Sequence, residues 1–337
     1  MNVTSVHQRM HNTKPTPPTP VGSGASGAAS NGASPAPVAS LATADAVLSR
    51  VRGVVLLAGT MRVSELGEAI QRSMLDLPIR AGQSMLAGWC EQVATLGALI
   101  NVERCELRVR INEGVHRPTV PKKLNRVAVD VEVDTSAYRG SGGVLRDIAQ
   151  DFDDDQYLLV ANAAQVLLEP LADLVKALAE PQAAVSLVSH RDGTPSGVML
   201  IRCDVLKRLP AVGFIDLKEQ ALPGIAREHD VRVLHRDRPT GLPVRTLANY
   251  ITALQTLYRS AKNADEAASP FVEDWQSTFA LIEPGAEVGD SARIHDSIVL
   301  DGGRVGDGAV LVRGVVGPGG VVAANRTMVD CVVQAKK

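Results

Sequence analysis

From Ile282 onward, large apolar residues return every sixth position, at Val288, Ile294 and Leu300, and after one dropped residue at Val305 and Leu311. The frame runs on through Gly317, Ala323 and Val329, and small or β-branched residues stand four places later at Ala286, Ala292, Ile298, Ala309, Val315, Val321 and Val333. A buried helix stripe repeats every 3.6 residues and a strand face every two, so a sustained period of six fits neither. It fits a coil in which each six residues form one side, glycine-rich corners turn the chain, and two columns of side chains point inward. At about eighteen residues per coil the segment builds roughly three coils, near the minimum for stacked repeats. A short left-handed parallel β-helix of hexapeptide repeats is expected over 279–337, with a glycine-rich hairpin array as the alternative.

The preceding chain has two other textures. Residues 13–46 are rich in Pro, Gly, Ser and Ala, with almost no large apolar side chains to offset chain entropy, so a disordered tail is expected over 1–48. From Arg52 a strand–loop–helix pattern begins, with VVLLAG at 54–59 and apolar residues at helical spacing in SMLAGWCEQVATLG at 84–97. Apolar runs at 105–111, 126–133, 157–161, 183–189, 197–201 and 231–235 read as strands, and 143–151, 168–180 and 245–262 as helices. That alternation predicts an α/β domain over 49–262, a Rossmann-like, mainly parallel, doubly wound sheet, joined to the coil by a linker at 263–278. Apolar residues make up 45% of the chain, enough for a sizeable core.

Charge and cysteine usage narrow the function classes. Lysine plus arginine number 35 and aspartate plus glutamate 37, so no global field draws the chain to nucleic acid or an anionic membrane, and neither is expected as a partner. The four cysteines, Cys90, Cys105, Cys203 and Cys331, form no CxxC pair, which argues against a disulfide framework or a zinc site. No secretory h-region or long uninterrupted apolar stretch is evident, and a cytoplasmic location is expected.

Seven segments in order, from residue 54 to residue 322, resemble the sugar-phosphate nucleotidyltransferases, the mannose-1-phosphate guanylyltransferase type in particular. VVLLAGTMRVSEL (54–66) resembles the first strand and phosphate loop, A-G-G-x-G-T-R-L-x-P-L, and RSMLDLP (72–78) the K-P-x-L-P segment. GSGGVL (140–145) resembles the G-T-A-G-A-L turn, YLLVANAAQV (157–166) the L-V-x-N-G-D-x-L strand, and FIDLKEQALPGI (214–225) the D-x-K-E-x-x-x-P segment. LANYITAL (247–254) resembles the T-P-x-x-Y-L-x-A helix, and 297–322 the short β-helix. The resemblance implies an α/β nucleotidyltransferase domain carrying a left-handed β-helix, a nucleotide or nucleotide sugar as ligand, and homo- or hetero-oligomers formed through the coil.

The implied reaction is attack of a sugar 1-phosphate on the α-phosphate of a nucleoside triphosphate, with release of pyrophosphate. Catalysis of that kind rests on positioning and on neutralising negative charge with a metal ion, basic side chains and backbone N–H groups. The loop here is short: Gly59 is followed directly by Thr60, Met61 and Arg62, and the second and third glycines have no counterpart. Gly59, Thr60 and Arg62 are the candidate phosphate contacts, with Arg72 where the family has lysine. Gly140, Ser141, Gly142 and Gly143 are candidates for the nucleobase and ribose, and Asp216, Lys218 and Glu219 for the sugar. The family's two metal-binding aspartates fall at Ala164 and near Val244, which offer magnesium no oxygen ligand. Asp153, Asp154 and Asp155 lie before the strand, at the wrong end to substitute, and SHRDGTPSG (189–197) lacks the family's E-K-P lysine.

A metal ion supplies several kcal/mol of transition-state stabilisation, and at about 1.36 kcal/mol per tenfold in rate its loss implies roughly a thousandfold slower reaction or worse. Two readings follow. One is a degenerate homologue that binds a nucleotide or nucleotide sugar, or serves in regulation or assembly. The other is an active nucleotidyltransferase whose magnesium is held by other carboxylates. A hexapeptide-repeat acyltransferase is disfavoured, since His295 is the only histidine in the coil.

Overall fold

The computed structural model describes residues 44–59, 65–135, 139–266 and 279–335. The expected tail up to residue 43, Thr60 and Arg62 of the shortened loop, and most of the linker lie outside the described residues. Seven strands form one sheet: β1 (Val51–Leu57), β2 (Cys105–Asn112), β3 (Val127–Asp134), β4 (Tyr157–Asn162), β5 (Val185–His190), β6 (Pro195–Arg202) and β7 (Val231–Arg236), in the order β7-β5-β6-β4-β1-β2-β3. Neighbours are parallel except for β6, which runs antiparallel to both β4 and β5. The exception has a local cause: only residues 191–194 join β5 to β6, with Gly193 at φ 82°, and so short a link permits a hairpin but no parallel crossover.

The central strands β1, β4 and β6 carry apolar runs because both sheet faces are covered there, whereas β2, β3 and β7 interleave charged and apolar residues. Val54, Leu56, Leu159, Ala161, Val198 and Leu200 enter one core with α1 (Glu65–Ile70), α2 (Met85–Leu99), α4 (Leu171–Ala179) and α7 (Leu247–Glu266). Val55, Leu158, Val160, Met199 and Ile201 enter a second core with α3 (Gly140–Ala149), α5 (Cys203–Lys207) and α6 (Leu222–Glu228). The sheet is therefore mainly parallel with helices on both faces. The start of α2 is fixed by Ser84, whose hydroxyl accepts from the Ala87 N–H at 3.2 Å. Beyond β4, Gln165–Leu167 pairs with Gly241–Pro243 in a short antiparallel ribbon.

The body starts earlier than the composition of the N-terminal segment implies. Ala44, Val47 and Leu48, assigned from sequence to the tail, are buried, and Val47 and Leu48 join the first core. Three apolar residues at i, i+3 and i+4 mark one helix face, but the Pro/Gly/Ser/Ala texture around them hid the pattern.

The C-terminal segment forms three parallel sheets that share one chain path, each strand pairing with the residue seventeen positions on: Ala280 with Ser297, Glu287 with Arg304, Arg293 with Val310, and Val315 with Val332. This is the arrangement of a parallel β-helix. The coil is seventeen residues long rather than about eighteen, and the phase read from sequence is corrected accordingly. Its interior is filled by Val288, Ile294, Val299, Val305, Leu311, Val316, Val322, Met328 and Val333, so the spacing contracts to five at one corner of every coil. That corner is Asp296, Arg313 and Asp330, each at φ between 46 and 49°. Left-handed backbone turns the chain in fewer residues, and here non-glycine residues adopt it, which concealed the corner. In consequence Leu300, Ile298 and Val315 face the α/β core instead of the coil axis, and Val321 and Val329 are 60% and 48% exposed.

The coil is docked, not tethered. Leu281, Ile298, Leu300 and Val315 belong to the first core, Phe279 stacks on Tyr258 of α7 at 5.3 Å, and Gln255 donates to Asp296 at 2.8 Å. Arg72 forms a two-pronged pair with Glu283, at 2.9 and 2.8 Å.

Two outcomes test these assignments. Truncation before Ser49 should cost about 1.5–3 kcal/mol for each of Val47 and Leu48 relative to truncation before Ala44, measured by denaturant unfolding. Leu311→Asp should expose the amides of 280–333 to rapid hydrogen exchange, because it buries an unpaired charge, whereas Val321→Asp should leave exchange unchanged. Equal effects of the two substitutions would refute the phase given above.

Candidate functional site

Polar side chains cluster where the parallel strands end. Asn112 closes β2, Asp134 closes β3 and Asn162 closes β4, and all three line a cleft of about 520 Å³ together with Leu57, Gly59 and Arg110. The volume lies in the range of small-molecule sites, and the position, outside the carboxyl ends of the strands, is where open α/β sheets bind ligands. Gly197 of β6, Gly140 and Ser141 at the start of α3, and Phe214, Asp216, Leu217, Lys218 and Arg245 also line the cleft.

The wall is built by specific contacts. Gly59 has no room for a side chain: a Cβ there would stand 2.0 Å from Asn112 Oδ1. Gly140 has φ 66°, and a Cβ would lie 2.4 Å from the Ile215 carbonyl oxygen. The Gly142 N–H donates to that same oxygen at 2.9 Å, and the Leu217 N–H donates to Ser141 Oγ at 3.0 Å. The glycine turn and the 214–219 segment, read separately from sequence, are thus one structural unit. Asp216 starts the following helical turn, its Oδ1 accepting from the Lys218 and Glu219 N–H groups at 2.8 Å each.

Charge is distributed unevenly around the cleft. Arg110 is paired with Glu132; burial pushes the Glu132 carboxyl up, against the pull of that arginine. Asp134 holds Arg139 at 3.0 Å, and Arg139 also pairs with Asp147 of α3. Lys218 and Arg245 are exposed and have no carboxylate partner among the described residues. Glu113, past the end of β2, is the exposed carboxylate of the rim.

Of the residues predicted from sequence, Gly59, Gly140, Ser141, Asp216 and Lys218 line the cleft. Gly142 and Gly143 are buried behind it, and Glu219 is exposed outside its lining. Arg72 is corrected: its guanidinium is committed to Glu283 of the coil rather than to the cleft, because the segment carrying it lies against the docked β-helix. Ala164 and Val244 meet, the Val244 N–H donating to the Ala164 carbonyl at 2.8 Å, but neither lines the cleft and Val244 is fully buried. On β4 the cleft is lined by Val160, Ala161 and Asn162, of which Asn162 is the polar one. Asp153, Asp154 and Asp155 precede β4, at the end away from the cleft, where they pair with Gln156, Lys207 and Arg50.

Sequence reasoning missed Arg110, Asn112, Asp134, Asn162 and Arg245. A signal was present for three of them, since CELRVRIN, VAVDVEVD and YLLVAN each end an apolar run on Asn or Asp. Arg245 sits in LPVRT, where the resemblance points to a carboxylate and not to a cation.

Thiol chemistry is poorly served. Burial pushes Cys90 and Cys203 up to about 12 and Cys105 to about 11, and none of the four cysteines lines the cleft. Among the described residues no group of three His, Cys, Asp or Glu side chains is arranged to hold a metal ion, and no helix is long and apolar enough to cross a membrane.

No family model matches the chain, and no curated protein matches it. Among solved structures, HddC from Yersinia pseudotuberculosis is similar over 61% of this chain and 100% of that one, with a TM-score of 0.46 and 11% sequence identity.

The packing of the glycine turn is directly testable. Gly140→Ala should destabilise the protein by about 1 kcal/mol or more, because both its φ and its contact with Ile215 exclude a methyl group. Gly224→Ala in α6, where a Cβ meets nothing within 4 Å, should be neutral or mildly stabilising. Denaturant midpoints of the two variants check both signs.

Proposed function

We propose that the protein is a sugar-phosphate nucleotidyltransferase homologue that binds a nucleotide or nucleotide sugar in this cleft but has lost efficient nucleotidyl transfer. The reading draws on the seven ordered segments, on a mainly parallel sheet with a parallel β-helix behind it, and on a cleft at the strand ends. One observation carries the loss of chemistry. The two positions at which the resemblance puts metal-binding aspartates are neighbours joined by a backbone hydrogen bond, yet they hold a methyl group and a fully buried isopropyl group. The residues present therefore do not fit a magnesium ion, which takes oxygen ligands. Its charge stabilisation, several kcal/mol in enzymes of metal-assisted group transfer, has no donor set at these positions.

A working enzyme with a relocated metal is the competing reading, favoured by the three carboxylates Glu113, Asp134 and Asp216 that border the cleft. Two of them already have other work: Asp134 holds Arg139, and Asp216 holds two backbone N–H groups. A role in regulation or assembly through nucleotide-sugar binding fits the degenerate site better.

Pyrophosphate release from nucleoside triphosphates, sugar 1-phosphates and magnesium should be undetectable for the wild-type chain. Ala164→Asp should not restore it, because one carboxylate binds magnesium weakly and the position does not line the cleft. Magnesium-dependent release by the wild-type protein would establish the competing reading.

A further inference from the structure

The proposed nucleotide-binding role assigns nothing to Arg245 and, through the resemblance, gives Lys218 only to the sugar. Arg245 directly follows Val244, so its side chain leaves the backbone where the resemblance places a metal ligand, and it lines the cleft. Lys218 reaches the cleft from the segment packed on the glycine turn. Both are exposed, and neither has a carboxylate partner among the described residues. Asn162 and Gly197 line the same cleft, and a Cβ on Gly197, at φ 78°, would lie 3.1 Å from Asn162 Cβ.

We infer that Lys218 and Arg245 bind the phosphate groups of the ligand directly, so that the cleft takes a nucleoside diphosphate or its sugar ester without a divalent metal. This rests on the nucleotide-binding reading above. A guanidinium offers paired donors that match phosphate oxygens, and an ammonium adds a compact point charge. A magnesium ion beside an unpaired arginine would instead be repelled, with no carboxylate at Ala164 or Val244 to offset the repulsion. The remaining charges agree with this polarity. Arg110 is held by Glu132, Asp134 by Arg139 and Asp216 by backbone N–H groups, while Glu113 follows β2, on the other side of β1 from β4. Glu113 is placed to accept from hydroxyl groups, as a sugar or ribose presents.

Calorimetric titration of the full chain with GDP, UDP, ADP, GDP-mannose and UDP-glucose, each in magnesium and in EDTA, tests the inference. At least one probe should bind with the same Kd in both conditions, and more weakly at high salt. Arg245→Met and Lys218→Met should each weaken that binding by about tenfold or more, and Arg245→Lys by less than Arg245→Met. Arg232→Met, on an exposed arginine of β7 paired with Asp230, should leave Kd unchanged. Unchanged melting curves tie the losses to the contacts. Binding that requires magnesium, or that survives both methionine substitutions, overturns the direct-contact inference and leaves the nucleotide-binding reading standing. Failure of every probe to bind the wild-type chain, with or without magnesium, overturns that reading and the inference with it.

Discussion

Both faces are covered at the centre of the seven-stranded sheet, where Val54–Leu56 of β1, Tyr157–Ala161 of β4 and Val198–Ile201 of β6 are buried, so polar groups of these central strands fall at their ends, whereas the outer strands β2, β3 and β7 carry charged side chains along their length. Asn112, Asp134 and Asn162 are the last residues of β2, β3 and β4, and they meet at one edge because those strands are parallel to one another and to β1. A parallel sheet gathers its carboxyl ends on one side, so the polar residues there share one rim. The antiparallel β6 adds Gly197, near its start, to the same edge, and a glycine leaves the rim open where a side chain would close it.

The β-helix completes the first of the two cores. Its inner columns satisfy the coil itself, but Leu281, Ile298, Leu300 and Val315 are buried only because the coil lies against the α/β body. The Arg72–Glu283 pair marks the same boundary. Both side chains are about one-fifth exposed, and Glu283 also accepts from the Asp301 N–H at 2.9 Å, so the carboxylate is held by each partner. Breaking such a pair leaves a charge without its partner in a partly dry place, which costs more than the pair contributes.

Much of this architecture was legible in the residues. The six-residue period announced a coil, and apolar runs marked all seven strands of the main sheet, because periodicity reports what a segment must bury. The phase of the coil was not legible. Its corner contracts at Asp296, Arg313 and Asp330, and nothing in an Asp or Arg advertises left-handed backbone as a glycine does. Arg72 was misplaced for a related reason: a motif position fixes a residue in the chain, whereas its partner, Glu283, is brought to it only by tertiary packing. Around the cleft, Gly59, Gly140 and Asp216 are positions to which the resemblance points, while Arg245 stands where it points to a charge of the opposite sign.

The glycine turn and Asp216 differ from Ala164 and Val244 in what holds them. Gly59 is fixed by the Asn112 side chain, Gly140 by the Ile215 carbonyl, Ser141 by the Leu217 N–H and Asp216 by two backbone N–H groups, so each is needed to build the wall whatever the cleft does. An aspartate at Ala164 or Val244 would have no such employment. At Val244 it would put a charge in the core, which costs several kcal/mol unless a cation compensates it. Without a metal to bind, carboxylates there are a burden, and methyl and isopropyl groups are the more stable occupants. The glycine turn is therefore required by the shape of the wall, whereas Ala164 and Val244 are set by packing beside it.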